Sequence, residues 1–297
     1  MSNMDDIFEK KKVNSPDEKQ PFDKEDWAAK KQQQRNEVFA LAERTAEEIV
    51  SKDTNFTGYL DTMSRFDLYS PTNILLIYAQ NPDATRIGDY EHWKEAGTPV
   101  NKGEKGIVIL EPGPEYTRED GSTAVSYNTK SVFDINQTSA ELLKPLKPRN
   151  IRSLCQALVD ASPVPIQLVE KLSGNNKAAG ALYQPSQNRI EIVQGLDGPN
   201  LFRCLAQEIC LAQIDVTGRE CHSPEFVAYA ASYALCRKNG VDTQSYDFSK
   251  ISELFIESDS QAVRSECTAI RDTVSEVSTE VYKKLEAQKS AKNQEAR

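Results

Sequence analysis

No apolar run in this 297-residue sequence approaches the ~18 residues a membrane-spanning helix requires, so nothing in it anchors the chain in a bilayer. The first 31 residues are polar and charged, without the hydrophobic stretch of a secretory signal, which predicts a cytoplasmic protein. Paired cysteine spacing is also missing. The six cysteines, at 155, 204, 210, 221, 236 and 267, form no Cys-x-x-Cys pair, so they are expected as reduced, mostly buried thiols rather than a disulfide or zinc framework. A metal cluster of Cys204, Cys210, Cys221 and His222 is disfavoured, because a six-residue helical separation puts Cys204 and Cys210 on different faces. Basic charge is short: 36 Lys or Arg stand against 45 Asp or Glu, for a net charge of −9, and 38% of residues are hydrophobic. That balance describes a soluble acidic protein, and the length allows one large domain or two medium ones, of which two are predicted.

What is present begins with Phe-Arg-Cys-Leu-Ala-Gln-Glu-Ile-Cys-Leu-Ala-Gln at 202–213. It reads like a metallopeptidase helix without its ligands. A His-Glu-x-x-His peptidase needs two imidazoles one helical turn apart on one face, with the Glu as general base. Gln207 and Leu211 occupy those positions, and only Glu208 keeps its identity. A carboxylate with no metal-bound water beside it has nothing to activate. The plainer alternative is an ordinary amphipathic helix burying Phe202, Leu205, Ala206 and Ile209.

Along the chain, residues 1–23 carry too few apolar side chains to offset their ordering entropy and are expected to be a mobile tail. Helical spacing over 27–50 puts Val38, Ala42, Thr45 and Ile49 on one stripe. Ser70 can cap a helix whose first residue is Pro71. A strand at 107–110 and a return strand at 124–133 predict a hairpin turning near Glu119-Asp120-Gly121. Lys144-Pro145-Leu146-Lys147-Pro148-Arg149 reads as a stiff connector within a linker at 139–163, which also holds a short helix at 151–161. Alternating segments at 164–170 and 180–193 predict a small antiparallel sheet. After the 202 helix, Ser223 can cap another that starts at Pro224 and stops at Asn239-Gly240. Apolar spacing over 252–289 predicts one or two further amphipathic helices.

Several of these segments carry a family resemblance. Tyr-Leu-Asp-Thr-Met-Ser-Arg-Phe, Tyr-Ser-Pro-Thr-Asn-Ile-Leu-Leu-Ile, Gln-Asn-Pro-Asp-Ala-Thr, Trp93, Gly97, Lys-Gly-Glu-Lys-Gly-Ile and Val-Phe-Asp-Ile-Asn-Gln-Thr follow one another between 36 and 138. Together they resemble the N-terminal single-stranded-DNA-binding domain of the ArdC antirestriction family, whose members, with the related LtrC-like proteins, are carried by plasmids and conjugative elements. Residues 164–248 are similar to the family's C-terminal peptidase-like domain. The resemblance places the family's third, acidic zinc ligand at Ser223, with Glu225 two residues on as a stand-in. With Gln207, Leu211 and Ser223 at the ligand positions, a catalytically dead, zincin-like pseudopeptidase is expected, with no catalytic residue, metal or cofactor.

Single-strand binding uses aromatic faces for stacking and cations along the phosphate track. Tyr69, Tyr90 and Trp93 are candidates to stack, Arg65, Arg86, Lys94, Lys102 and Lys105 to follow the backbone, and Asn73 and Gln80 to bond bases. An aromatic in a globular domain is commonly a core or rim residue, and the two lysines can simply solvate a turn. Between 37 and 134, nine Lys or Arg face seventeen Asp or Glu, which weakens long-range attraction to phosphate. The reading is an α+β protein of two domains: an ArdC-type α+β domain at 24–138, and a zincin-like helical domain with a small antiparallel sheet at 164–250, extended helically over 251–297. The expected partner is single-stranded DNA, with a host restriction or defence protein as a further one and no membrane. Alternatives are an acidic protein-interaction or DNA-mimic module and an active metalloprotease.

Overall fold

The computed structural model describes residues 24–118, 120–140, 149–173 and 180–295. The expected tail at 1–23 and most of the expected connector, 144–148, lie outside the described residues. Helix α1 (Lys24–Ile49) buries the stripe read from its spacing: Val38, Ala42, Thr45 and Ile49 are all buried. Helix α2 (Asp53–Phe66) inserts Phe56, Tyr59, Leu60 and Met63 into the core. Helix α3 (Pro71–Gln80) starts as expected, the Ser70 hydroxyl accepting from the Asn73 N–H at 3.3 Å.

Strand β1 (Ile87–Gly88), helix α4 (Tyr90–Glu95) and the long hairpin of β2 (Ile107–Thr117) and β3 (Thr123–Asp134) complete the first half. The strand order is β1-β3-β2, all antiparallel, so β2 is an edge strand. Its outward backbone groups are bonded by side chains of α3. Asn73 donates to the Leu110 carbonyl and accepts from its N–H, both at 2.8 Å, and Gln80 does the same at Val108, at 2.9 and 3.0 Å. Seven residues along the helix match two residues along the strand, so two amides replace a missing neighbouring strand. Buried Asp134 performs a similar service at the other end, accepting from the Thr85, Arg86 and Asn136 N–H groups.

The second half opens with α5 (Ile151–Asp160) and a three-stranded sheet of β4 (Ile166–Val169), β5 (Ala181–Gln184) and β6 (Arg189–Val193). The expected antiparallel sheet is mixed. Strands β5 and β6 form the hairpin around the Pro185 turn, but β4 joins the far side of β6 and runs parallel to it. Alternation marks a strand without naming its partner. Helix α6 (Gly198–Thr217) and helix α7 (Pro224–Asn239) end on left-handed Gly218 and Gly240, with φ of 61° and 70°. A short α8 (Ile251–Leu254) precedes α9 (Ser260–Glu295), which buries Val263, Ile270, Val274, Val277, Val281 and Leu285, whereas Leu254 stays exposed.

One continuous apolar cluster runs from Ala46 in α1 to Leu285 in α9. Across it, Phe56 packs on Phe226 and Phe248, and Asp61 accepts from Arg237 and from the Tyr233 hydroxyl. All six cysteines are free, four of them buried. Among the described residues no helix is long and apolar enough to cross a membrane.

Replacing Asn73 by Ala strands the Leu110 N–H and carbonyl in a buried position, which should cost about 2–4 kcal/mol. A denaturant titration checks it: the midpoint should fall with its slope unchanged.

Candidate functional sites

Two concave regions bear on function. The first is a groove of about 570 Å³ where the end of α2, the start of α3, the start of α4 and the hairpin converge. Leu68, 85% exposed, and Tyr127, 42% exposed, flank it with half-buried Tyr69. Both tyrosines are held by edge-on contacts, Tyr69 against Phe66 at 5.9 Å and Tyr127 against Phe39 at 6.3 Å between ring centroids. Lys130 also lines the groove, with its Nζ 3.0 Å from both Asp89 and Glu111. Those hydrogen bonds hold Lys130 above the usual ammonium range. Asp89 lies below the usual carboxylate range, first because it caps α4 through the His92 N–H and then through Lys130.

The ten residues singled out for DNA do not gather in one place. Tyr69 and Asn73 line the groove, but Asn73 has its amide committed to Leu110 and Gln80 is committed to Val108, so neither is free to read bases. Trp93 is a core residue rather than a stacking face: it is 2% exposed and donates through Nε1 to the Phe133 carbonyl at 2.9 Å. Arg86 covers that ring at 5.6 Å, and Arg65 donates to the Pro82 carbonyl. Tyr90 is 52% exposed, Lys94 pairs with Glu91 at 3.7 Å, and Lys102 and Lys105 sit exposed on the turn before β2, away from the groove lining. The residues missed were Leu68, Tyr127 and Lys130. Strand alternation gives no signal for them, because 127 and 130 have opposite parity in β3 and Leu68 lies in the turn between α2 and α3.

The second region is a cleft of about 310 Å³ between β5, α6 and the start of α7, lined by Tyr183, Leu211, Asp215 and Glu225 among others. Here α6 and α7 bring together the expected pair Leu211 and Glu225, and Ser223 is used as the α7 cap, accepting from the Phe226 N–H. Glu208 does not present a carboxylate to the cleft. It is buried, and its Oε2 accepts from the Tyr183 N–H at 2.7 Å, tying α6 to the edge strand β5. Burial pushes its pKa up, with the Tyr183 hydrogen bond opposing. Beside it the Tyr183 hydroxyl donates to Asp215 at 2.7 Å and is pushed up to about 12, first by burial and then by that carboxylate.

Residues 25–142 match the family described as the N-terminal domain of anti-restriction factor ArdC. That segment, about two fifths of the chain, is an ArdC-type N-terminal domain. Over about four fifths of its length the chain shares the fold of the crystal structure of antirestriction ArdC from the R388 plasmid. The metal-free form of that protein superposes with a TM-score of 0.57 at 17% identity, covering 82% of this chain and 98% of that one. Its Mn(II)-bound form gives 0.57 at 16%, covering 81% and 98%. An uncharacterized Bacillus anthracis protein, pXO2-81, is 40% identical over 57 residues, which is 19% of this chain and 9% of that protein.

The Mn(II) in the R388 relative invites a test of fit. Manganese asks for carboxylate, carbonyl, water or imidazole ligands. The positions that the sequence resemblance assigns to metal ligands offer an amide, an alkyl group and a hydroxyl already used as a cap, and Glu208 is turned to Tyr183. Among the described residues no three His, Cys, Asp or Glu side chains are placed to hold a metal ion. The residues do not fit the metal, and no step is derived through one.

The raised pKa of Glu208 makes a pH prediction. A carboxyl raised in the folded state favours the fold while protonated, so its contribution is complete below the unfolded value near 4.5 and is lost as pH rises through the folded value. Glu208→Gln keeps an acceptor for Tyr183 without that loss. Its thermal stability relative to the parent should rise with pH above 4.5; parallel curves across pH 4–8 would show that Glu208 is not the group responsible.

Proposed function

We propose that this protein is an ArdC-family, antirestriction-type protein of a conjugative or plasmid element that binds single-stranded DNA and whose peptidase-like half is catalytically dead. The observation that carries the first part is the aromatic groove. It offers Tyr69, Tyr127 and Leu68 as faces for unpaired bases, in the segment that is an ArdC N-terminal domain. Its one lysine is already neutralised by Asp89 and Glu111, so stacking rather than phosphate attraction supplies the affinity. Duplex DNA hides its base faces and gains little from such a groove.

For the peptidase half, the donor set carries the reading. Gln207, Leu211 and Ser223 supply no metal ligand, and Glu208 serves as a clamp between helix and strand. The cleft of about 310 Å³ suits recognition of a protein segment, for example of a host restriction or defence factor, without cleaving it.

Titrating the full chain with single- and double-stranded oligonucleotides over a salt series tests the groove. Single strands should bind better than duplex, and Tyr127→Ala and Tyr69→Ala should each cost about 1–3 kcal/mol at every salt concentration. The log–log salt slope should be shallow, at about −0.7 for each phosphate contact. A folded protein without oligonucleotide affinity at low salt would leave the acidic protein-interaction reading in its place.

Metal analysis tests the other half. Purified protein should carry neither zinc nor manganese in stoichiometric amount; a full equivalent that disappears in Glu208→Ala or Glu225→Ala would restore a working metallopeptidase.

A further inference from the structure

The loop between α6 and α7 also borders a second cavity, of about 360 Å³, lined by Glu220, Cys221, His222, Phe255, Ser265 and Glu266 among others. It is separate from the degenerate cleft, to which the same loop gives Gly218 and Arg219. Glu266 is 5% exposed. One of its oxygens accepts from the His222 N–H, while Oε2 is buried with no hydrogen-bond partner. An unpaired buried carboxylate oxygen is costly, and a native fold that keeps one has a use for it.

The surroundings narrow that use. No lysine or arginine lines the cavity, so the Glu266 charge is met only by backbone N–H groups and the His222 ring. Burial accordingly pushes the Glu266 pKa up, against the hydrogen bonds and charge of His222 and the Ser223 N–H. Glu220 adds an exposed second carboxylate at the same cavity. Phe255 and Ala262 give an aromatic and an aliphatic wall, and Ser258 and Ser265 add hydroxyl acceptors. A metal ion does not match this set, because the Cys221, His222 and Glu266 groups are not placed as a ligand cluster. An organic cation does: its charged head pairs with carboxylate, its apolar stem lies along the walls, and an aromatic ring favours a nearby cation.

We propose that the cavity formed by Glu220, His222, Phe255 and Glu266 is a binding site for an alkylammonium or guanidinium group on an aliphatic stem. The head group pairs with Glu266 Oε2 in the interior, and Glu220 draws the cation in from solvent. Two sources share this chemistry, a free polyamine and a lysine or arginine side chain of a partner protein.

The chain has two histidines, so the His222 ring proton is assigned in the full-length protein by comparison with His92→Gln, and it reports on this cavity alone. Spermidine, the blocked peptide acetyl-Gly-Arg-Gly-amide and zinc chloride are titrated separately while that resonance is followed. The expected result is a saturable shift with spermidine or the peptide, weakened about tenfold or more in Glu266→Gln. Glu220→Gln, an exposed change that leaves the fold alone, should weaken it about two- to fourfold. Saturation at a lower concentration of peptide than of spermidine assigns the site to a protein side chain, and the reverse order to a free polyamine. The proposal is overturned if neither organic cation shifts the resonance, if only zinc does, or if affinity is unchanged in Glu266→Gln. Should that variant fail to fold, unchanged affinity in Glu220→Gln overturns it instead.

Discussion

Everything in the N-terminal half leans on how the outer edge of β2 is satisfied. An edge strand presents N–H and carbonyl groups that need partners wherever water is excluded. Here the partners come from a helix lying across the strand, with Asn73 meeting Leu110 and Gln80 meeting Val108 in two bidentate pairs. The spacing fixes α3 in rotation and in register against the hairpin. The groove follows from that, because Ser70 and Asn73 of α3 face Ile109, Leu110 and Lys130 of the hairpin across it. The small cluster of Val38, Ala42, Leu76 and Leu110 then closes the far side of the same contact.

The C-terminal half applies a similar device at its own edge strand. Strand β5 has β6 on one side only, and the outward N–H of Tyr183 is taken by Glu208 from α6. In a His-Glu-x-x-His helix that glutamate would need freedom to move a proton on a metal-bound water. Here the neighbouring positions are Gln207 and Leu211, and the carboxylate serves as a fixed acceptor for the Tyr183 N–H. Leu211 then lines a cleft that would otherwise be polar, beside Asp215 and Glu225.

Periodicity and cap chemistry were readable from the residues: the α1 stripe, the Ser70-Pro71 and Ser223-Pro224 starts, the Gly240 stop and the β2–β3 hairpin lie where the spacing put them. Direction was not. An amide at 73 or 80 looks alike in sequence whether it meets solvent, a base or a strand edge, and the indole of Trp93 looks alike whether it stacks on a ligand or on the core. In each case a long-range partner decides: Leu110, Val108 and Phe133 are tens of residues away. The mixed order of the second sheet was hidden for the same reason, since nothing local tells β4 which side of β6 to join.

The groove and the cleft beside β5 also share a mechanical connection that neither half suggests alone. Leu68 and Tyr69, which flank the groove, follow directly on Asp67, whose buried carboxylate is 2.6 Å from Lys238 at the end of α7. The adjacent Arg237 and, a little over a turn earlier in α7, Tyr233 hold Asp61 of α2. The opposite end of α7 carries Ser223 as its cap and Glu225 in the cleft. A single helix therefore fixes the groove wall at one terminus and the cleft wall at the other. Because the ion pairs sit against a continuous apolar core, the chain between Asp61 and Tyr69 cannot shift without disturbing them, and breaking one partner of a buried pair leaves an uncompensated charge. The C-terminal half is thus part of the scaffold that holds the groove, and the packing of α7 against α2 constrains both together.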